Sequence, residues 1–108
     1  PVSHLALHRA VVDAWPRLDG RIAFISSDLG QVPVDGSCLV VSSHACGALT
    51  DAVLHRAATA RARVAVLPCC HDVSVCDRGP LAGWLDDGLA IDAMRAVELE
   101  RAGYRVWT

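Results

Sequence analysis

Two short apolar runs frame the middle of the chain. Residues 38–43 (CLVVSS) and 64–67 (VAVL) carry no charge and are rich in valine. Such runs suit strands covered on both faces, as in a parallel sheet. Between them Leu49, Ala52, Val53 and Ala57 recur at helical spacing, which predicts a helix over 49–62. A parallel pair needs a crossover of about a dozen residues or more, usually a helix, so the unit reads β-α-β. Ligands of open α/β sheets bind beyond the carboxyl ends of the strands. Those ends carry Ser43-His44-Ala45-Cys46-Gly47 and Pro68-Cys69-Cys70-His71-Asp72, so candidate chemistry is expected there.

The flanking pattern adds further elements. Leu5, His8, Val11, Val12 and Trp15 share a face at helical spacing, with Ser3 as N-cap, so a helix over 4–15 should stop before Pro16. Residues 21–29 (RIAFISSDL) alternate Ile22 and Phe24 against Ala23 and Ile25 and read as a strand. Residues 30–36 form a loop closed by Asp35-Gly36. An Asp-Gly pair can close a hairpin, but Pro33 argues against one. Residues 73–88 hold the breakers Gly79-Pro80 and Asp87-Gly88, and a loop of this length is usually functional or poorly ordered. A helix over 89–102 has Ala90, Met94 and Val97 as its core stripe. Asp92 with Arg95, and Glu98 with Arg101, are spaced to pair at i,i+3. Gly103 suits its C′ position, and a strand should start at 104–107.

Composition narrows the class. A chain of 108 residues, 53% hydrophobic and 20% charged, is a folded domain rather than a disordered segment. Its net charge of −2 provides no overall electrostatic footprint for nucleic acid. No apolar run approaches the roughly 20 residues of a membrane span. The five cysteines, Cys38, Cys46, Cys69, Cys70 and Cys76, are odd in number and cluster in or after apolar runs. This is not a secreted disulfide framework, and a reducing cytoplasm is expected. The chain opens on Pro1, not Met, which suggests an excised piece of a longer polypeptide.

The stretch HACGALTD at 44–51, followed by PCCH at 68–71, resembles class I S-adenosylmethionine-dependent methyltransferases, in the group that includes tRNA 2′-O-methyltransferases. Ile91-Asp92-Ala93-Met94-Arg95 and Gly103-Tyr104 are similar to its later helix and Gly-Tyr pair. The resemblance runs from about Arg21 to the C-terminus. It implies a three-layer Rossmann-like parallel sheet, incomplete here, with three main strands, a possible C-terminal strand and helices on both faces. The whole chain, 1–108, would be one partial domain. Residues 21–29, 38–43 and 64–67 would be the family's third, fourth and fifth strands. Asp28 and Leu29 would contact the cofactor adenine, and His44, Ala45 and Cys46 would lie where methyl donor meets acceptor. The glycine-rich cofactor loop and the acidic ribose ligand that the resemblance calls for are absent, since no G-x-G occurs. Cofactor binding by this chain alone is therefore expected to be weak or absent. An N-terminal half on another segment, or a homo-oligomer, is expected.

The reaction expected on this resemblance is methyl transfer to an O or N acceptor, RNA or small molecule. His44 or His71 would be the base, and Cys69, Cys70 and His71 would face the substrate. The alternative is a non-catalytic remnant acting as an oligomerisation or scaffold module. A metal site is not expected. Adjacent residues at a strand end point to opposite faces, so Cys69 and Cys70 should not share one ion. Cys46, just ahead of a helix, could be a thiolate with His44 as its base. The plainer expectation is that Cys38, Cys46 and Cys69 are small buried hydrophobes. Asp51 should serve the first turn of its helix, and Trp84 should anchor a core or interface.

Overall fold

The computed structural model describes residues 3–108; Pro1 and Val2 lie outside the described residues. The chain falls into two compact units, Pro1–Gln31 and Val32–Thr108.

In the first unit, helix α1 spans His4–Ala14. Ser3 caps it as expected: its hydroxyl oxygen accepts the Ala6 amide at 3.2 Å. Trp15 ends the helix and Pro16 begins a 3₁₀ turn, Pro16–Leu18. His8 and Phe24 meet edge to face, with ring centroids 5.8 Å apart. No described residue of this unit is fully buried.

The strand expected over 21–29 does not form; those residues are irregular up to the short turn Leu29–Gln31. A strand exists only through its ladder, and the described backbone hydrogen bonds of this stretch are local ones, such as Gln31 to Asp28.

The second unit holds the β-α-β element. Strand β1 is Leu39–Ser43, helix α2 is Ala48–Ala60 and strand β2 is Arg63–Leu67. The two strands pair parallel in a two-stranded sheet, from Leu39 opposite Arg63 to Ser43 opposite Leu67. Both strands therefore end level, and their following turns leave from one rim. Asp35 prepares β1: its carboxylate accepts the Ser37 amide at 2.8 Å and the Ser37 hydroxyl at 2.6 Å. This is an Asx turn, not the tip of a hairpin.

Along both strands exposure alternates. Val40, Ser42, Val64 and Val66 are half-buried, whereas Leu39, Val41, Ala65 and Leu67 are exposed. The expected cover on both sheet faces is thus corrected to cover on one. The expected three-layer, three-strand sheet is corrected to two strands.

Helix α3 spans Asp87–Arg101, starting earlier than its apolar periodicity predicts. Asp86 sets that start: its carboxylate accepts the amides of Gly88 and Leu89. Gly103 (φ +90°) follows the helix as expected. Its amide bonds to Glu100 O and that of Tyr104 to Leu99 O, a Schellman closure.

The strand expected at 104–107 is also absent. Tyr104 instead turns its hydroxyl to the end of α2, 2.7 Å from Ala62 O and 3.1 Å from Ala57 O. Tyr104→Phe removes this tie and should lower unfolding free energy by about 1 kcal/mol in urea titration. A change indistinguishable from zero would mean that the tie contributes nothing.

The core lies in this second unit. Val53, Leu54 and Ala57 of α2 and Ala90 and Ile91 of α3 are buried, with Ala45, Ala62 and Cys76 from the connections. The α2 stripe is Thr50, Val53, Leu54 and Ala57, so Leu49 and Ala52 of the expected stripe are exposed. Two polar side chains are buried with the core, Thr50 and Arg95. Trp84, expected as an anchor, is 86% exposed.

Candidate functional site at the carboxyl rim of the strand pair

At the end of β1 the chain turns through His44 (φ +60°) and Gly47 (φ +54°, ψ −130°) before entering α2. Gly47 occupies a region that side chains rarely adopt, and an added Cβ would meet Asp72 Cβ at 3.2 Å. Glycine here allows the two rim turns to approach. The Gly47 amide donates to Cys70 O at 3.1 Å, tying the turn after β1 to the turn after β2. The Thr50 hydroxyl, buried, donates back to Ala45 O and closes the first turn of α2 from inside.

Arg95 of α3 organises what lies beneath. Its Nε donates to Asp51 Oδ1 at 2.6 Å, its Nη1 to Asp92 Oδ1 at 3.0 Å and its Nη2 to Gly47 O at 3.1 Å. The same Nη2 lies 3.7 Å from Cys76 Sγ. Burial works against the Arg95 charge, but the hydrogen bonds to Asp51 and Asp92 outweigh it, so its pKa is raised and the guanidinium stays charged. Burial pushes the neighbouring Cys76 thiol up, which keeps it a neutral packing group.

His71 Nε2 lies 2.9 Å from the second oxygen of Asp92. Its Nδ1 faces the first turn of α3, where a Cβ on Gly88 would come within 3.2 Å of it. Asp92 thus joins His71 to Arg95, and through Arg95 to Asp51 and Gly47.

Asp72 accepts both the Ser74 hydroxyl at 2.6 Å and the Ser74 amide at 3.0 Å. These bonds hold its carboxyl below its ordinary value of 3.8. A carboxylate with a depressed folded pKa stabilises its turn above its unfolded pKa and loses that effect as pH falls through the folded one. The Ser74 amide resonance should therefore titrate with a midpoint below 3.8, and Asp72→Asn should abolish that titration. A midpoint at or above 3.8 would refute the turn.

The expected site residues distribute as follows. His44, Ala45 and Cys46 come together with Cys69, Cys70 and His71 at one rim, Ala45 buried and His44 exposed. Asp28 and Leu29 belong to the other unit, where Asp28 is exposed and Leu29 opens a turn. Cys46 and Cys69, expected as buried hydrophobes, are both exposed, as is Cys70; only Cys76 is buried. Their thiols converge. Cys46 Sγ and Cys69 Sγ are 3.4 Å apart, and with Cys70 Sγ all three lie within 4.8 Å of one another. The opposite-facing argument fails because β2 ends at Leu67, so strand alternation no longer governs Cys69 and Cys70.

Sequence reasoning missed Arg95 as the hub, with Asp51 across from it. Arg95 stands four positions after the buried Ile91, and that spacing was the available signal.

Among the described residues no helix is long and apolar enough to cross a membrane. Comparison with family models, curated proteins and solved structures found no match to this chain.

Proposed function

We propose that this chain supplies the carboxyl-rim part of an S-adenosylmethionine-dependent methyl-transfer domain acting on an O or N acceptor, RNA or a small molecule. One observation carries the proposal. The Gly47–Cys70 backbone bond sets the HACG and PCCH turns side by side at the level ends of two parallel strands. That is where open α/β sheets bind ligands. The motif resemblance supplies the chemistry.

The residues present fit only part of that cofactor. No G-x-G of the kind that lies under such a cofactor occurs in this sequence, and the rim residues His44, Cys46, Cys69 and Cys70 are exposed. The cofactor, when bound, supplies an electrophilic methyl group. His44, exposed on the rim, is the group placed to take a proton from the acceptor. His71 is a positioning residue, since one ring nitrogen is held by Asp92 and the other faces Gly88.

Titrating the isotope-labelled chain with S-adenosylmethionine to millimolar concentration tests this reading. Amide shifts confined to 44–47 and 69–72 are expected, with weak affinity. No shift at those positions would overturn it.

A second reading rests on the bare sheet face. Leu39, Val41 and Leu67 are 56%, 69% and 68% exposed, and among the described residues no further strand pairs with either edge of the pair. A non-catalytic module associating through that sheet would use these groups. Sedimentation showing a dimer that Val41→Lys dissolves, together with no cofactor shifts, would favour it.

A further inference from the structure

We propose that Cys46, Cys69 and Cys70 form a three-thiolate site for a thiophilic d¹⁰ metal ion, with zinc leaving one coordination position open. The geometry comes first. A zinc–sulfur bond of about 2.3 Å in a tetrahedral site sets sulfur–sulfur separations of roughly 3.8 Å. The three sulfurs here lie 3.4 Å apart for one pair and within 4.8 Å for all. These separations bracket that distance.

The sulfurs are brought together by backbone features that do not depend on them. The Gly47–Cys70 bond ties the two turns, and the positive φ of Gly47 permits the close approach. Arg95 holds Gly47 O from below, and Thr50 holds Ala45 O. A site built on such supports does not have to pay for chain closure when the ion arrives.

These three cysteines do not serve as core packing. Cysteine is among the most often buried residue types, yet all three are exposed while Cys76 fills the core place. Exposure at the rim gives the ion an entry path.

Charge and donor chemistry agree. Three thiolates around a divalent ion carry one net negative charge. Cys46 directly precedes α2, whose N-cap Gly47 offers no side-chain acceptor to the first turn, and negative charge is favoured at a helix N-terminus. An all-sulfur donor set rejects magnesium and calcium and selects zinc or cuprous ion. Three thiolates complete a trigonal cuprous site, whereas four-coordinate zinc retains a position for water or an exogenous donor. His71 Nε2 is held by Asp92 and its Nδ1 faces Gly88, so neither ring nitrogen completes the set.

The test uses the reduced full chain stripped of metal. Zinc is titrated against a chromophoric chelator, cuprous ion against a cuprous chelator, and cobalt is followed by its thiolate charge-transfer absorption. Binding of one ion per chain in the zinc or the cuprous arm is expected, and the arm that binds more tightly identifies the ion. Cys46→Ser, Cys69→Ser and Cys70→Ser should each weaken binding by more than the roughly 10–100-fold typical of losing an orienting group. Cys38→Ser should leave it unchanged.

Maleimide labelling of the unmutated chain provides a readout that needs no variant. The ion should protect Cys46, Cys69 and Cys70 together, and Cys76 should stay unreactive with or without it. The proposal is overturned if neither ion binds, if binding survives the serine variants, or if labelling of the three thiols is unchanged by metal.

Discussion

Replacing Arg95 with alanine is expected to lower unfolding free energy by about 3 kcal/mol, which for a unit of this size corresponds to a fall in Tm of roughly 12–24 °C. The side chain is buried and supports four groups at once: Asp51, Asp92, Gly47 O and Cys76. Breaking a fully buried ion pair costs about 3–5 kcal/mol. Asp51 and Asp92 are 42% and 41% exposed, so water partly rescues them, which sets the figure at the low end of that range. Gly47 O lies in the buried part of the network and loses its guanidinium donor. Arg95→Lys keeps the charge but cannot span these partners, so it should recover less than half of the loss. Asp51→Asn in a double-mutant cycle should couple more strongly than Asp92→Asn, because Asp51 joins α2 to α3 whereas Asp92 is three positions away on α3 itself. A loss under about 1 kcal/mol for Arg95→Ala, a value typical of exposed pairs, would remove Arg95 from its place as hub.

The second large effect should come from Gly47→Ala, at about 2–3 kcal/mol. Two costs combine. The backbone region at φ +54°, ψ −130° is strained for any residue with a Cβ, and that Cβ would press on Asp72 Cβ at 3.2 Å. The chain can relieve both only by moving the turn, and the turn carries the amide bonded to Cys70 O. Gly103→Ala is the matched comparison. It also has positive φ, but nothing stands within 4 Å of its added Cβ, so backbone strain alone should cost about 1 kcal/mol there. Urea titrations of the two variants should differ by about 1–2 kcal/mol. Equal losses would mean that the contact with Asp72 is not what makes glycine necessary.

The part of the fold that periodicity could reach was readable in advance. α1, α2 and α3 follow from apolar residues three and four apart, and β1 and β2 from two uncharged runs separated by a helix-length crossover. The rim followed from topology alone, since a parallel pair must place both following turns at one end. The strands expected at 21–29 and 104–107 illustrate the limit. Their side-chain alternation is compatible with a strand, but a strand also needs a neighbour to share its hydrogen bonds, and a local pattern cannot supply one. Arg95 was hidden for a related reason. An arginine paired at i,i+3 on an amphipathic helix looks solvated, and its burial is offset only when Asp51 and Gly47 O, far along the chain, join Asp92 around it.

The order of residues determined which segments coil into helices, which extend, and that HACG and PCCH leave the strand pair on the same side, because each depends on neighbours within about one crossover. Tertiary structure decided the rest: that Arg95 lies inside, that one sheet face stays bare, and that the sulfurs of Cys46, Cys69 and Cys70 converge. Those outcomes depend on distances between atoms far apart along the chain. Such distances are set when α3 packs on α2 and the two rim turns share a hydrogen bond.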